Sequence, residues 1–337
     1  MAMKAIVAEA GNKVAIWDNV PMPVPGPYEA LIKVTAASLC NSTDQKILHG
    51  EFCGPLPGIL GHEAVGRVVE VGSKVRLYKI GDLVTRPRVG DYPEIGLRSL
   101  FGSFVEYGLA HDARAQAEDE GKTLSYTPDQ TVATPDWDAM ALTQCITLKE
   151  TLSFLRNWKV GPGHTVLIYG TGPVGVSFSL WAQYLGCDKV IVVGRRDEAC
   201  QRAIDFGRAT HAINNAKQSV PQAVREITGV GVTHAIEAIG ENSVLQDCLD
   251  SLAPGGEVGI YGVPPDSQGR SPLLDDPRVS SVGPNEATAD AEVLPLVKAG
   301  KIPGKEFVSH TLHFTEAAKG FELLASKEAF KVGLLFD

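Results

Sequence analysis

The sequence contains no Cys-x-x-Cys pair, and no cysteine at all between Cys53 and Cys145. Its six cysteines stand apart, at positions 40, 53, 145, 187, 200 and 248. That scatter argues against both a disulfide framework and a zinc ribbon. Long hydrophobic runs are missing too: no apolar stretch approaches the roughly 18 residues of a membrane helix. The N-terminal MAMKAIVAEAG reads as a strand rather than a leader, so a cytoplasmic location with no membrane partner is expected. Positive charge is in short supply. Lysine and arginine number 31 against 40 acids, a net charge of −9, which argues against a nucleic-acid partner or an acidic membrane surface. What remains is a chain of 337 residues, 44% hydrophobic and 21% charged. It can bury proper cores and suits two domains.

The stretch from 166 to 196 carries the strongest local pattern. Val166-Leu167-Ile168-Tyr169 reads as a buried strand. Gly170-Thr171-Gly172-Pro173-Val174-Gly175 follows, a G-x-G-x-x-G. Val174, Phe178, Trp181 and Leu185 then share one face of a helix that Gly186 stops, and a second strand covers residues 189–193. In this setting the first glycine permits the turn, and the second lets a pyrophosphate reach the backbone. The third allows close packing of helix and strand, and the anion sits on the helix N-terminus. An NAD site usually ends its second strand with Asp or Glu, whereas this chain has Gly194-Arg195-Arg196. Two guanidiniums suit a 2′-phosphate, so the reading is NADP rather than NAD. The competing reading leaves both arginines in solvent and gives the ribose to Asp197.

Upstream, residues 1 to about 150 read as short strands broken by proline and glycine, a barrel-like β domain. Residues 151–285 alternate strands and helices, as in a doubly wound Rossmann domain. Helices are predicted over 197–206, 219–228, 243–252 and 290–299, and strands over 211–214, 233–239, 257–262 and 331–336. The fold class is α/β.

Two patches of the first domain offer chemistry: Leu39-Cys40-Asn41-Ser42-Thr43-Asp44 and Gly61-His62-Glu63-Ala64-Val65-Gly66. Cysteine, histidine and glutamate are the ligand types zinc takes, and a three-ligand site with an open position is a catalytic one.

With these residues the chain resembles the zinc-dependent medium-chain alcohol dehydrogenases along nearly its whole length. The marks are Cys40 with Ser42 and Asp44, the Gly61-His62-Glu63 block with Gly66 and Gly72, Gly81-Asp82, Val160 to Gly163, and Gly170 to Gly175. Glu237-Ala238-Ile239-Gly240 and Pro254-Gly255-Gly256 match as well. The resemblance implies a GroES-like catalytic domain onto which residues from about 286 to 337 pack back. It implies one catalytic zinc on Cys40 and His62, with Glu63 a direct or a water-mediated ligand that can exchange with substrate, and Ser42 as a proton-relay hydroxyl. The four cysteines of the family's structural zinc are missing, so that ion is not expected.

The third zinc ligand is open between Gln144 and Cys145. Polyol enzymes of the family use Glu at this place and simple alcohol dehydrogenases use Cys. Within the family the chain is most similar to the archaeal-type glucose (aldose) dehydrogenases. Gly194-Arg195-Arg196-Asp197 resembles their 2′-phosphate loop, Leu142-Thr143-Gln144 their metal-proximal segment, and Glu94-Ile95-Gly96 and Val282-Gly283-Pro284-Asn285 their sugar-binding segments. The resemblance thus implies Glu94, Gln144 and Asn285 as contacts to sugar hydroxyls. The expected activity is hydride transfer from an aldose or polyol to NADP, in a homodimer or homotetramer. The alternatives are a zinc dehydrogenase for a small secondary alcohol and, outside enzymes, an NADPH-binding crystallin-like protein.

Overall fold

The computed structural model describes residues 1–126, 128–264 and 266–336. The chain divides into two compact units. One is Met1–Ile146 with Asp290–Asp337, and the other is Thr147–Ala289.

The first unit begins with β1 (Ala2–Glu9), β2 (Lys13–Pro21) and β3 (Glu29–Ser38), then a short helix α1 (Thr43–Leu48). β4 (Gly58–Ile59), β5 (Ala64–Val71), β6 (Leu83–Thr85), β7 (Arg98–Ser99) and β8 (Tyr107–His111) follow. Then come α2 (Ala113–Asp119), β9 (Val132–Ala133) and the long α3 (Ala139–Asn157), inside which the division between units falls. The sequence pattern gives no sign of α3. Residues 141–149 of this helix are all buried and include the polar Thr143, Gln144, Thr147 and Lys149, so polar and apolar residues do not sort onto separate faces and no period shows.

The second unit strings together β10 (Thr165–Tyr169), α4 (Pro173–Tyr184), β11 (Lys189–Gly194), α5 (Asp197–Asp205), β12 (His211–Asn214) and α6 (Val220–Thr228). β13 (Val232–Glu237), α7 (Asn242–Asp250), β14 (Leu252–Ile260) and β15 (Val279–Ser280) complete it. Its sheet is parallel throughout, in the order β12-β11-β10-β13-β14-β15. That is the doubly wound order expected, with the switch point between β10 and β13. α4 is more deeply set than one apolar face requires: Pro173 and Gly175 to Ala182 are all buried. β14 reaches back through Pro254-Gly255, where the sequence pattern suggested a break. The register with β13 shifts between Val232 and His234, which accommodates the interruption.

The chain then returns to the first unit with α8 (Asp290–Lys298), β16 (His310–His313), α9 (Ala317–Ala325) and β17 (Val332–Leu335). β17 pairs with β3, Gly333 opposite Ser38. The large sheet of this unit runs β16-β17-β3-β5-β6-β9, with β8 also on β3, and a smaller sheet runs β2-β1-β4-β7. Between them lies one core drawn from both ends of the chain, including Ile6, Leu39, Leu60, Phe104, Phe321 and Leu334. Each such side chain contributes on the order of 1.5–3 kcal/mol by leaving water. The C-terminal strand is therefore part of the same cooperative core as β1 and β3. Among the described residues, no helix is long and apolar enough to cross a membrane.

Candidate active site

β3 ends at Ser38, and the chain turns past Cys40 into α1. The backbone N–H of Cys40 donates to Asp44 Oδ2 at 2.8 Å, which fixes the turn. His62 and Glu63 sit just before β5, behind Gly61. That glycine has φ +100, and a Cβ there would lie 2.1 Å from the Phe104 ring, so no other residue fits. Because β3 and β5 pair antiparallel, Ala37 opposite Ala64, the two turns meet. The metal-ligating atoms of Cys40, His62 and Glu63 all lie within 4.8 Å of one another. Among the described residues this is the group of three or more Cys, His, Asp and Glu side chains so gathered.

The surroundings of each of these side chains are specific. Asp44 is fully buried, with Oδ1 3.5 Å from His62 Nδ1, and neither atom has a hydrogen-bond partner. Burial pushes the His62 pKa down, but the Asp44 carboxylate outweighs it and holds it well above the ordinary value. Burial likewise opposes ionisation of Cys40, yet the neighbouring His62 leaves the thiol below its usual range. The Phe101 ring tilts over His62 at 5.1 Å.

Glu63 is 3% exposed. Its Oε2 accepts from Ser38 Oγ at 2.7 Å and lies 2.5 Å from Lys331 Nζ. Burial raises its pKa, and Lys331 more than reverses this, so Glu63 is a carboxylate. Ser38 Oγ also accepts from Gln144 Nε2 at 3.2 Å, and the same Nε2 donates to Thr143 Oγ1 at 2.7 Å. Both bonds use the amide nitrogen. Cys145 is turned elsewhere: its thiol donates to the Ala141 carbonyl within α3 at 3.5 Å, and it is not in the gathered group.

In the second unit, Gly170 (φ +126) turns the chain from β10, and its N–H donates to the Val193 carbonyl. A Cβ on Gly175 would sit 1.9 Å from the Gly170 carbonyl oxygen, so helix and turn touch through bare backbone. Gly172 caps α4 and has no atom within 4 Å of where its Cβ would be. Thr171, Pro173 and Val174 complete this turn, open at the helix N-terminus where N–H groups favour an anion. Gly194 closes the far side, since a Cβ there would strike Thr171 Cγ2 at 2.5 Å. Arg195 and Arg196 are exposed beside it. Arg195 lies 3.6 Å from Glu241, an exposed and loose pair, while Arg196 is the N-cap of α5.

Two sequence patterns match the chain. That of the alcohol dehydrogenase GroES-like domain covers residues 26–117, and that of zinc-binding dehydrogenases covers residues 173–280. Together they span more than half of it and take in Cys40, His62 and Glu63 as well as α4 from Pro173 on. The chain belongs to the zinc-binding alcohol dehydrogenases.

As a member of that family it is an oxidoreductase acting on CH–OH groups. A Mycobacterium tuberculosis protein described as a zinc-binding alcohol dehydrogenase is 29% identical over 95% of this chain and 84% of its own length. An L-threonine 3-dehydrogenase of Xanthomonas axonopodis pv. citri is 28% identical over 99% of this chain and all of its own. Among solved structures, a Sinorhizobium meliloti 1021 protein described as a zinc-binding dehydrogenase, bound to NADP, superposes with a TM-score of 0.78. It is 26% identical, and the match covers 100% of both chains.

The sequence also proposes Ser42, Glu94 and Asn285. Ser42 is exposed at the N-cap of α1, its hydroxyl making no capping bond. Glu94 is exposed in a short 3-10 turn, Pro93–Ile95, and its carboxylate is not in the gathered group. Asn285 is exposed in the second unit, its N–H donating to Ser153 Oγ at 3.0 Å. Conversely, Ser38 and Lys331 escaped the sequence reading. A lysine opening an apolar strand, Lys331-Val332-Gly333-Leu334-Leu335, was the available signal.

Proposed function

We propose that the protein is a zinc- and NADP-dependent dehydrogenase of an aldose or polyol. The substrate class is supported by how the two candidates are bonded: the Gln144 amide reaches Ser38, which bonds Glu63, whereas the Cys145 thiol bonds a carbonyl of its own helix. A zinc held there would meet the sulfur of Cys40, a nitrogen of His62 and carboxyl-type oxygen. That set resembles the polyol enzymes rather than the simple alcohol dehydrogenases with their second cysteine.

The donor set fits zinc, a borderline ion bound by thiolate, imidazole and carboxyl-type oxygen. The turn at Gly170 to Gly175 fits a dinucleotide. The preference for NADP is supported by the acid that could take a ribose hydroxyl. Asp197 already accepts from Asn214 Nδ2 at 2.7 Å and pairs with Lys217, whereas Arg195 and Arg196 stay available to a phosphate. The NADP-bound relative is consistent with this choice.

When bound, zinc supplies Lewis acidity toward the substrate oxygen and the nicotinamide supplies the redox couple. The protein's own residues do the rest. Cys40 and His62 anchor the ion, and Asp44 orients the imidazole from behind, as carboxylates behind metal-binding histidines do. Ser42, exposed at the rim of α1, passes the hydroxyl proton to water. Gln144 stands beside the site with its amide fixed. Glu94 and Asn285 are the proposed contacts for further hydroxyls.

Full-length likeness to an L-threonine 3-dehydrogenase favours a second reading, a secondary-alcohol dehydrogenase for a smaller polar substrate. Comparing kcat/KM for aldoses, polyols, L-threonine and isopropanol, each with NADP and zinc, decides between them. An aldose or polyol should lead; if isopropanol or L-threonine beats them all, the aldose reading falls.

A further inference from the structure

Lys331 and Glu63 form a buried ion pair at the metal group. Their side chains are each 3% exposed, and Nζ lies 2.5 Å from Oε2. The lysine is held from both sides by backbone. The N–H of Leu39 donates to the Val332 carbonyl at 2.9 Å, and Asn41 Nδ2 donates to the Phe330 carbonyl at 2.8 Å. The returning chain is thus stitched to the residues on either side of Cys40, which anchors the main chain around Lys331. Ser38 Oγ donates to the same oxygen of Glu63 as the ammonium does.

Glu63 is consequently contested by two cations, the ammonium and the metal ion. Drawing it fully onto the metal would strip a buried ammonium of its carboxylate. Leaving a buried charge uncompensated is among the costliest changes a protein interior can undergo. A carboxylate bound to the ion would also fill the position a substrate oxygen needs.

We propose that Lys331 is a positioning residue of this centre: it holds Glu63 back from the ion and so keeps one coordination position open. The inference rests on metal binding by Cys40 and His62. Lys331 acts through Glu63 alone and touches no substrate.

Cobalt(II) in place of zinc gives a readout independent of turnover, because its visible absorption reports the number and kind of ligands. In the wild type the bands should be those of a site without Glu63. E63Q should leave them unchanged, and so should K331R, which keeps the charge. K331M should shift them toward higher coordination and slow the loss of cobalt to a chelator by about tenfold, the scale on which partners of ligands act. The double variant E63Q/K331M should return to the wild-type bands. Altered bands in E63Q, or unaltered bands in folded K331M, overturn the proposal. Should K331M fail to fold, E63Q and K331R still decide it. A wild type that takes up no stoichiometric cobalt sinks the metal reading itself, and this proposal with it; stoichiometric cobalt with the wrong responses sinks the proposal alone.

Discussion

Gln144 Nε2 lies 3.2 Å from Ser38 Oγ, so a residue of α3 is tied to the last residue of β3. Ser38 in turn bonds Glu63, and on this chain of bonds we propose Gln144 rather than Cys145 as the third donor. Gln144→Ala should weaken zinc retention against a chelator by about tenfold or more, whereas Cys145→Ser should hold zinc nearly as the wild type does. The reverse ranking would mean that the cysteine is the ligand.

One zinc per chain is expected, because the only cysteine in the gathered metal group of the described residues is Cys40. Metal analysis of purified protein should find close to one ion. Cys40→Ala should lose it and the activity, yet still bind NADPH, since the α4 turn lies in the other unit. Two tightly held ions per chain would contradict this.

Replacing both Arg195 and Arg196 by alanine should cost NADP at least about tenfold in Kd, because a charge-assisted hydrogen bond contributes roughly 1.5–3 kcal/mol. NAD binding should change little. Titration calorimetry with both nucleotides checks it. Equal losses for the two would leave Asp197 as the discriminating residue after all.

A pH effect on stability follows from His234, which packs edge-on to Trp158 and 4.5 Å from the His164 ring. Burial, helped by His164, pushes its pKa down from 6.5 to about 4. The folded protein therefore keeps it neutral while the unfolded chain takes up a proton below pH 6.5. The unfolded state binds more protons in that window, so this share of stability is present above 6.5 and is lost as pH falls toward 4. Denaturation midpoints should drop more steeply between pH 7 and pH 4.5 in the wild type than in His234→Gln. Parallel curves would show that His234 titrates normally in the fold.

Glu94→Ala should raise KM for the sugar severalfold while leaving NADP affinity near normal, because an unmade hydrogen bond to a hydroxyl costs roughly 1–3 kcal/mol. A variant that handles sugars like the wild type would remove Glu94 from the substrate contacts.

Much of this was legible beforehand, for identifiable reasons. The parallel sheet announced itself because its strands are buried on both faces and its turns need glycine at fixed places, as at Gly170 and Gly175. Cys40, His62 and Glu63 stood out as residue types, 22 residues apart and upstream of a dinucleotide fold. What stayed hidden depended on tertiary pairing. α3 is buried on too many sides to show a period. Lys331 lies far from Glu63 in the chain and reaches it only because β17 adds to the edge of β3. Ser38 is an ordinary strand residue until β5 places Glu63 beside it.

X-ray absorption at the zinc edge tests the central claim most directly, since it counts sulfur neighbours of the ion in the native protein. The donor set Cys40, His62 and Gln144 predicts a single sulfur at about 2.3 Å, with nitrogen and oxygen near 2.0–2.2 Å. Two sulfurs at that distance would place Cys145 on the metal and contradict the account.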